Sequence, residues 1–320
     1  MPNTTYATAI SVTTLDDFSS DIWDLTIGRI KLLRFFKKLG FVNKQSGGAN
    51  IVKRLEYAEN NTFGSISEYE AVTLTPQEPF TAAVYAWKIL AGSVSIGNLS
   101  IFKNSGSEHQ ISNLLKDLIR NAAHTASNEL NRQLWADGTG NGGKDFGGIR
   151  HLVAAGSWGT VGGIDSNSDT WWRNQVEATV GSFAANGIDK MGELRVSCGR
   201  DNTSPGLVVG DYDFLVGYEK ACLQMKRIVQ SNKMAHDLGL PNLEYAGLPA
   251  IEDPNQTAGY IDMLTPDTLE LVIGTDLDFK KSPMVSPVDQ DVKTQMMVLY
   301  GNLVTKDRST QGLAYGVTYP

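Results

Sequence analysis

The sequence predicts an α+β chain, and three observations carry that reading. The first is a long amphipathic stripe: Ile111, Leu114, Leu115, Leu118, Ile119, Ala122, Ala123, Ala126, Leu130 and Leu134 recur at helical spacing. The second is the block 46–106, rich in Val, Ile, Thr, Phe and Tyr and interrupted by Gly, Asn, Ser and Pro. It reads as strands in long hairpins. The third is a strand-rich return after residue 240, with short apolar runs in "LEYAGLPAIED", "GYIDMLT" and "TLELVIG". Its last part, "TQMMVLYGNLVTKDRSTQGLAYGVTYP", reads as two strands around a "KDRSTQG" turn.

Taken in order, residues 1–14 are uncharged and rich in Thr, Ala and Ser, which predicts an extended or mobile arm. From Asp16 to Leu39 the pattern turns helical through Trp23, Ile27, Ile30, Leu33 and Phe36, with Gly40 as the stop. The middle of the next block, "NNTFGSISEYEAVTLTPQEP", is polar. It buries little surface by itself and is expected to project and pack against another chain. The long stripe predicts a helix from about Ser107 to before Gly138, roughly 42 Å at 1.5 Å per residue. A second helix is expected over "SDTWWRNQVEATVGSFAANG", with Ser168 or Asp169 as cap and Gly187 as stop. Within it, Trp171 and Trp172 point about 100° apart, one into the core and one toward an interface. "DKMGELRVSCGR" predicts a shorter helix, "PGLVVGD" a buried strand, and "YDFLVGYEKACLQMKRIV" a further helix.

A chain of 320 residues permits one large domain or two to three lobes. Asp and Glu number 35 against 28 Lys and Arg, a formal charge of −7, which argues against general nucleic-acid affinity but leaves room for a local basic patch. No run approaches the ~20 apolar residues that cross a bilayer, and the N-terminus has no basic region before its apolar part. Cys198 and Cys222 alone cannot build a disulfide framework, so a reducing, cytosolic folding environment is expected.

Chemistry is sparse. "WADGTGNGGKDFGGI" contains G-x-G-x-x-G at Gly138, Gly140 and Gly143, and most of a triphosphate loop ending at Lys144. Asp145 stands where Ser or Thr would hold magnesium, and the run follows a helix instead of a strand. It therefore reads as a helix-ending hinge or turn. "LVVGD" at 207–211 resembles a metal-binding aspartate strand, a string common by chance. His109, His124, His151 and His236 lie far apart and show no ligand spacing, so no metal and no cofactor are expected. Glu56, Glu59, Glu68 and Glu70 fall in the polar hairpin, where solvated charge is the default. No catalytic residue is assigned. One charge feature stands out. From Thr26 to Arg54 there are eight basic residues and no acidic one: Arg29, Lys31, Arg34, Lys37, Lys38, Lys44, Lys53 and Arg54. This is either a solvated helix face or a contact for a polyanion or an acidic partner segment.

The order of these elements (arm, short basic helix, projecting hairpin, overlong helix, compact mixed region, strand-rich return) resembles the major capsid protein of tailed bacteriophages. "FGGIRHLV", "PGLVVGDYDFLVGYEKA", "LPNLEYAGLPAIEDPN" and "LYGNLVTKDRSTQGLAYGVT" are similar to that family in style. The resemblance covers essentially the whole chain. It implies the Hong Kong phage type capsid fold, shared with encapsulin shells: an N-terminal arm at 1–45, an extended loop at 46–106, and a peripheral domain at 107–194 and 276–320. The spine helix would span 107–137 and the axial domain 195–275. It implies a non-enzymatic coat protein that self-assembles into hexamers and pentamers of an icosahedral head around double-stranded DNA. Such a head would be assembled in a host bacterial cytoplasm, with a portal and no membrane or small-molecule partner. Only about 45 residues precede the loop region, which implies a separate scaffolding protein or a scaffold extension already removed. Within this picture Arg29, Lys31, Arg34, Lys37 and Lys38 are the expected genome or scaffold contact. The alternatives are an encapsulin-like shell, an adaptor or tail component, or a nucleotide-binding enzyme using Gly138–Lys144.

Overall fold

A computed structural model describes residues 30–72, 74–103, 108–156, 158–200, 203–224 and 244–319. The predicted arm over 1–14, Arg29, His109's side chain and His236 lie outside the described residues.

Helix α1 (Lys31–Leu39) opens the described chain and ends at Gly40, whose φ of 79° makes it the left-handed cap. Leu32, Leu33, Phe35 and Phe36 are fully buried, so the basic segment is half core element. Strand β1 (Val42–Gln45) follows and pairs in parallel with a strand 230 residues later. Strands β2 (Ile51–Glu56) and β3 (Phe80–Tyr85) form an antiparallel hairpin base, and the described residues of 57–79 project from it without strand or helix. Strand β4 (Lys88–Gly97) and the short helix α2 (Asn98–Lys103) lead into the long helix α3, Glu108–Trp135, 28 residues as the stripe predicted. Of that stripe, Ile119, Ala123, Leu130 and Leu134 are in the core, whereas Ile111, Leu114 and Leu115 have side chains outside the described set.

After α4 (Ile149–Leu152) come β5 (Thr160–Val161) and β6 (Ile164–Asp165), a small hairpin. The helix expected over 168–187 does not form. In its place are one 3-10 turn (Thr170–Trp172), β7 (Gln175–Glu177), β8 (Gly181–Ser182) and a π-turn (Phe183–Gly187). Long-range bonds override the local helical pattern here. Trp172 is 1% exposed and donates its indole N–H to the Val161 carbonyl at 3.0 Å. The Asn174 amide bonds both the N–H and C=O of Ala154 at 3.0 Å, and β7 then pairs at a sheet edge. Helix α5 (Ile188–Cys198), strand β9 (Leu207–Gly210) and helix α6 (Phe214–Gln224) appear where predicted. The remaining strands are β10 (Glu244–Tyr245), β11 (Leu248–Glu252), β12 (Tyr260–Leu264), β13 (Leu269–Gly274), β14 (Lys280–Lys281), β15 (Val292–Thr305), β16 (Gly312–Tyr315) and β17 (Val317–Thr318).

The strands make two main sheets. One has the order β1-β13-β15-β14, with β4 also pairing β15 over ten residues; the other has the order β10-β11-β9-β12-β16-β7. The six-stranded sheet is covered on both faces. Along β9, Leu207 and Val209 face a core shared with α1, α3 and the other sheet, whereas Val208 faces a second core with Met191, Leu194, Phe214 and Ala221. Side chains alternate along a strand, so burying both faces demands a continuous apolar run, and "LVVG" is one.

The "KDRSTQG" segment is not a hairpin turn. β15 belongs to one sheet and β16 to the other, so 306–311 carries the chain between them. From Arg308 to Gln311 the crossing is buried and makes its own polar network. Arg308, fully buried, donates Nε to the Leu152 carbonyl and Nη1 to Ser166 Oγ at 2.6 Å and to the Trp158 carbonyl at 3.2 Å. Gln311 accepts from the Thr265 N–H at 3.0 Å and donates back to the Thr265 carbonyl at 3.2 Å. Burial pushes the Arg308 pKa down to about 10, still a cation at neutral pH. Arg308→Ala is expected to cost about 3 kcal/mol, since it opens a cavity and leaves buried acceptors unmet. Chemical denaturation of the unassembled chain measures it, and a change within about 0.5 kcal/mol of zero, the ordinary surface value, would contradict this account.

Candidate functional site

The projecting loop is the feature that the chain's own packing leaves unfinished. Side chains alternate across the β2–β3 base. Ile51, Leu55, Ala83 and Tyr85 point into the core, while Val52, Phe80 and Val84 are exposed. Beyond the base, Phe63 is 86% exposed, Tyr69 94% and Leu74 93%, with Ile66 and Val72 also open. Between Leu55 and Trp87 there are five glutamates and no Lys, Arg or His. Glu59, Glu68 and Glu70 are exposed, as expected, and Glu70 closes a turn on the Ser67 N–H at 3.0 Å. The stretch combines large apolar side chains with one sign of charge and has no cover from the described residues, the character of an interaction patch.

The base of the loop is fastened at several points. Lys53 pairs with the buried Glu270 on β13, which Lys306 also reaches. Val84 N–H donates to the Gly162 carbonyl at 2.8 Å, and the Tyr85 hydroxyl donates to the Thr305 carbonyl at 3.0 Å. Gly162 sits at φ 62° in the β5–β6 turn, and a Cβ there would come within 2.8 Å of the Ala83 Cβ. The Asn302 amide donates to the Ala86 carbonyl, and the Trp87 indole to the Gly48 carbonyl, both at 2.9 Å. Tyr57, the first residue beyond β2, stacks on Trp171 with ring centroids 5.3 Å apart. Trp171 in turn leans on Trp172; Trp172 is buried as expected, while Trp171 is half-buried against the same core.

The glycine run is a turn that ends the long helix, not a phosphate bed. Gly138 adopts φ 77°, Asn141 51° and Gly142 67°, and no strand enters a helix N-terminus here. The chain folds back. Gly143 N–H reaches the Thr139 carbonyl, Phe146 N–H reaches Gln133 Oε1 at 3.2 Å, and Phe146 is fully buried. A Cβ on Gly148 would overlap the carbonyls of Gln133, Leu134 and Ala136, the open C-terminal end of α3. Asp145 faces inward, 5% exposed, and accepts from Arg132 at 2.8 Å, while Arg132 also holds Glu129 below the usual carboxylate range. The run is thus held at several points and has the form of the expected turn. With Val84–Ala86, Lys88, His151 and Asn302 it lines a 430 Å³ cleft, in which the Lys88 ammonium is tied to the Gly143 carbonyl. Burial, with Arg308 and Lys88 nearby, lowers the His151 pKa, favouring the neutral imidazole.

Asp211 of "LVVGD" is buried and accepts from the Gly259 N–H at 2.7 Å, a structural role. Among the described residues no three His, Cys, Asp or Glu side chains are grouped to hold a metal. No described helix is long and apolar enough to cross a membrane. Cys198 is buried, and its thiol is pushed up to about 12 by burial. In the basic segment, Lys31 pairs with Glu252 at 3.0 Å, Lys44 with Asp278 at 2.9 Å, and Lys53 with Glu270. Lys37 and Lys38 are exposed on the last turn of α1 and Arg34 is half-buried. The structure thus uses part of the basic run to strap α1, β1 and β2 to acidic positions of the body.

Glu270 was not singled out by sequence, because its partners lie 217 and 36 residues away along the chain. Burial raises its carboxyl pKa, and hydrogen bonds from Lys306 and Lys53 outweigh that, so the net shift is downward. A lowered folded-state pKa gives stability that is present above the unfolded value of about 4.3. That stability is lost as pH falls through the folded value. Glu270→Gln is therefore expected to cost about 3 kcal/mol at neutral pH. Its deficit should narrow as the pH is lowered below about 4. Urea titrations of both chains across pH would show this, and a pH-independent deficit would refute the pairing as its cause.

No protein-family model matches the sequence, and no curated protein matches it. Solved structures do. The chain is similar to the capsid subunit of cyanophage A-1(L), 16% identical, with 88% of this chain and 93% of that one covered and a TM-score of 0.68. It is similar to the capsid of an empty GTA particle, 13% identical, covering 87% and 94% with a TM-score of 0.59. It is also similar to the SrpI encapsulin of Synechococcus elongatus PCC 7942, 11% identical, covering 89% of each chain with a TM-score of 0.53. These matches cover 87–89% of this chain and 89–94% of the other chains. The chain has the Hong Kong phage type capsid fold that phage capsid subunits and encapsulins share.

Proposed function

We propose that this chain is a major capsid protein: a coat subunit that self-assembles into hexamers and pentamers of an icosahedral phage head enclosing double-stranded DNA. The observation that carries the reading is the loop 57–79, whose apolar side chains stay open in a chain folded like shell subunits. A closed shell repeats one heterologous contact around fixed axes, and a projecting loop reaching a neighbour supplies such a contact. We read 1–45 as the arm and 46–106 as the extended loop. The peripheral domain is 107–194 with 276–320, and 195–275 is the axial domain. A separate scaffolding protein and a portal complete the assembly in the host cytoplasm.

The exposed C-terminal turn of α1 favours a nucleic-acid head over an enzyme-filled encapsulin, since Lys37 and Lys38 offer charge to phosphates or to an acidic scaffold segment. Arg29, Lys31 and Arg34 extend that proposal, with Lys31 already sharing its charge with Glu252. No catalytic role is proposed, and the pinned glycine run gives none to a nucleotide.

Expressed with its scaffold, the chain should elute as megadalton particles and show closed shells by negative stain. Expressed alone it should give irregular assemblies. A small, discrete oligomer under both conditions would overturn the shell reading. In particles, an Arg34→Glu/Lys37→Glu/Lys38→Glu chain should still close shells but package less nucleic acid or recruit less scaffold. Normal assembly and normal packaging would remove the basic contact from the proposal.

A further inference from the structure

We propose that Trp171 is a positioning residue whose stack with Tyr57 sets the direction in which the extended loop leaves the body. This rests on the reading of that loop as the contact between subunits. The loop base has three kinds of fastening. The Lys53–Glu270 pair and the bonds from Val84 and Tyr85 all lie at or inside the hairpin. They hold the base in place but leave the chain beyond Glu56 without a support of its own. At that end a single ladder bond continues, Tyr57 N–H to the Pro79 carbonyl at 3.0 Å. A two-stranded ribbon twists and bends easily, so a loop of 23 residues hung from it needs a lateral support to keep one heading.

Tyr57 provides that support. Its ring lies on Trp171 with an interplanar angle of 27°, the point where the hairpin's outer end touches the body. Trp171 is itself backed by Trp172 at 5.5 Å, whose indole is fixed to the Val161 carbonyl in the same β5–β6 hairpin that receives Val84. The support therefore joins a backed, half-buried Trp171 on the body to the exposed Tyr57 ring on the loop. A ring stack holds a plane and a distance without a directional bond, so it steadies the loop yet can slide by small steps. Subunits in pentamers and hexamers of one shell need the same loop at slightly different headings, and a stack meets that need where a buried ion pair cannot.

The test compares Trp171→Ala with Trp171→Phe, which keeps a ring for Tyr57, and adds Tyr57→Ala, which removes a side chain outside the core. In the unassembled chain, amide exchange at Tyr57 should speed up by several-fold to about tenfold in Trp171→Ala and stay near the parent rate in Trp171→Phe. The thermal midpoint should move little in Tyr57→Ala. In particles, both alanine variants should broaden the diameter distribution, and Trp171→Phe should restore it. Unchanged exchange in Trp171→Ala, or parental diameters in both alanine variants, would overturn the proposal. If the parent chain formed no particles the shell reading would fail instead, and the exchange measurement would still decide whether the stack positions the loop.

Discussion

The fold depends on one buried polar crossing. Between Lys306 and Gln311 the chain leaves one sheet and enters the other, and from Arg308 onward it runs through the interior, where backbone groups have no water to turn to. Arg308 answers for Leu152, Trp158 and Ser166, and Gln311 answers for Thr265. These bonds join the α4 region, the β5–β6 hairpin and both sheets at a single place. The same place supports the loop, because Tyr85 bonds Thr305 at the start of the crossing and Val84 bonds Gly162 in the hairpin that Arg308 helps to hold. A cation buried without a carboxylate is costly, and here the cost is offset by bonds that no apolar residue could replace.

From that joint outward the molecule changes from self-sufficient to unfinished. The six-stranded sheet is buried on both faces, and the long helix closes its own end by folding the glycine turn back beneath its last carbonyls. The loop 57–79 has neither sheet nor core. Large rings and aliphatic side chains stand open along it, four glutamates set its charge, and its lateral support among the described residues is a pair of aromatic rings. Rigidity at the base and exposure at the tip are what a subunit needs if its contacts are to be made by a neighbour at a defined angle.

Much of this was legible in the sequence wherever local pattern decides structure. The stripe ending at Leu134 predicted a helix that the structure places at Glu108–Trp135, and "LVVG" announced a strand buried on both faces. The order of elements, more than any motif, led to the capsid fold. What escaped depends on partners far away in the chain. Trp172, Arg173 and Asn174 look helical in isolation but are committed to Val161, Ser166 and Ala154. "KDRSTQG" has the residues of a surface turn, and only the two flanking strands' separate sheets reveal a crossing. The basic segment looked like a free patch, yet β1 pairs with β13, and Lys31, Lys44 and Lys53 are drawn onto acidic residues more than 200 positions away. The polarity of the loop was plain, but it took the fold to show that no described residue covers Phe63, Tyr69 and Leu74.

The central claim is that copies of this chain complete the burial that residues 57–79 lack. Hydrogen–deuterium exchange and limited proteolysis, run on dissociated subunits and on assembled particles, test it directly. The account predicts rapid exchange and cleavage within 57–79 in subunits, and strong protection of the same residues in particles. Equal exposure of the loop in both states would contradict it.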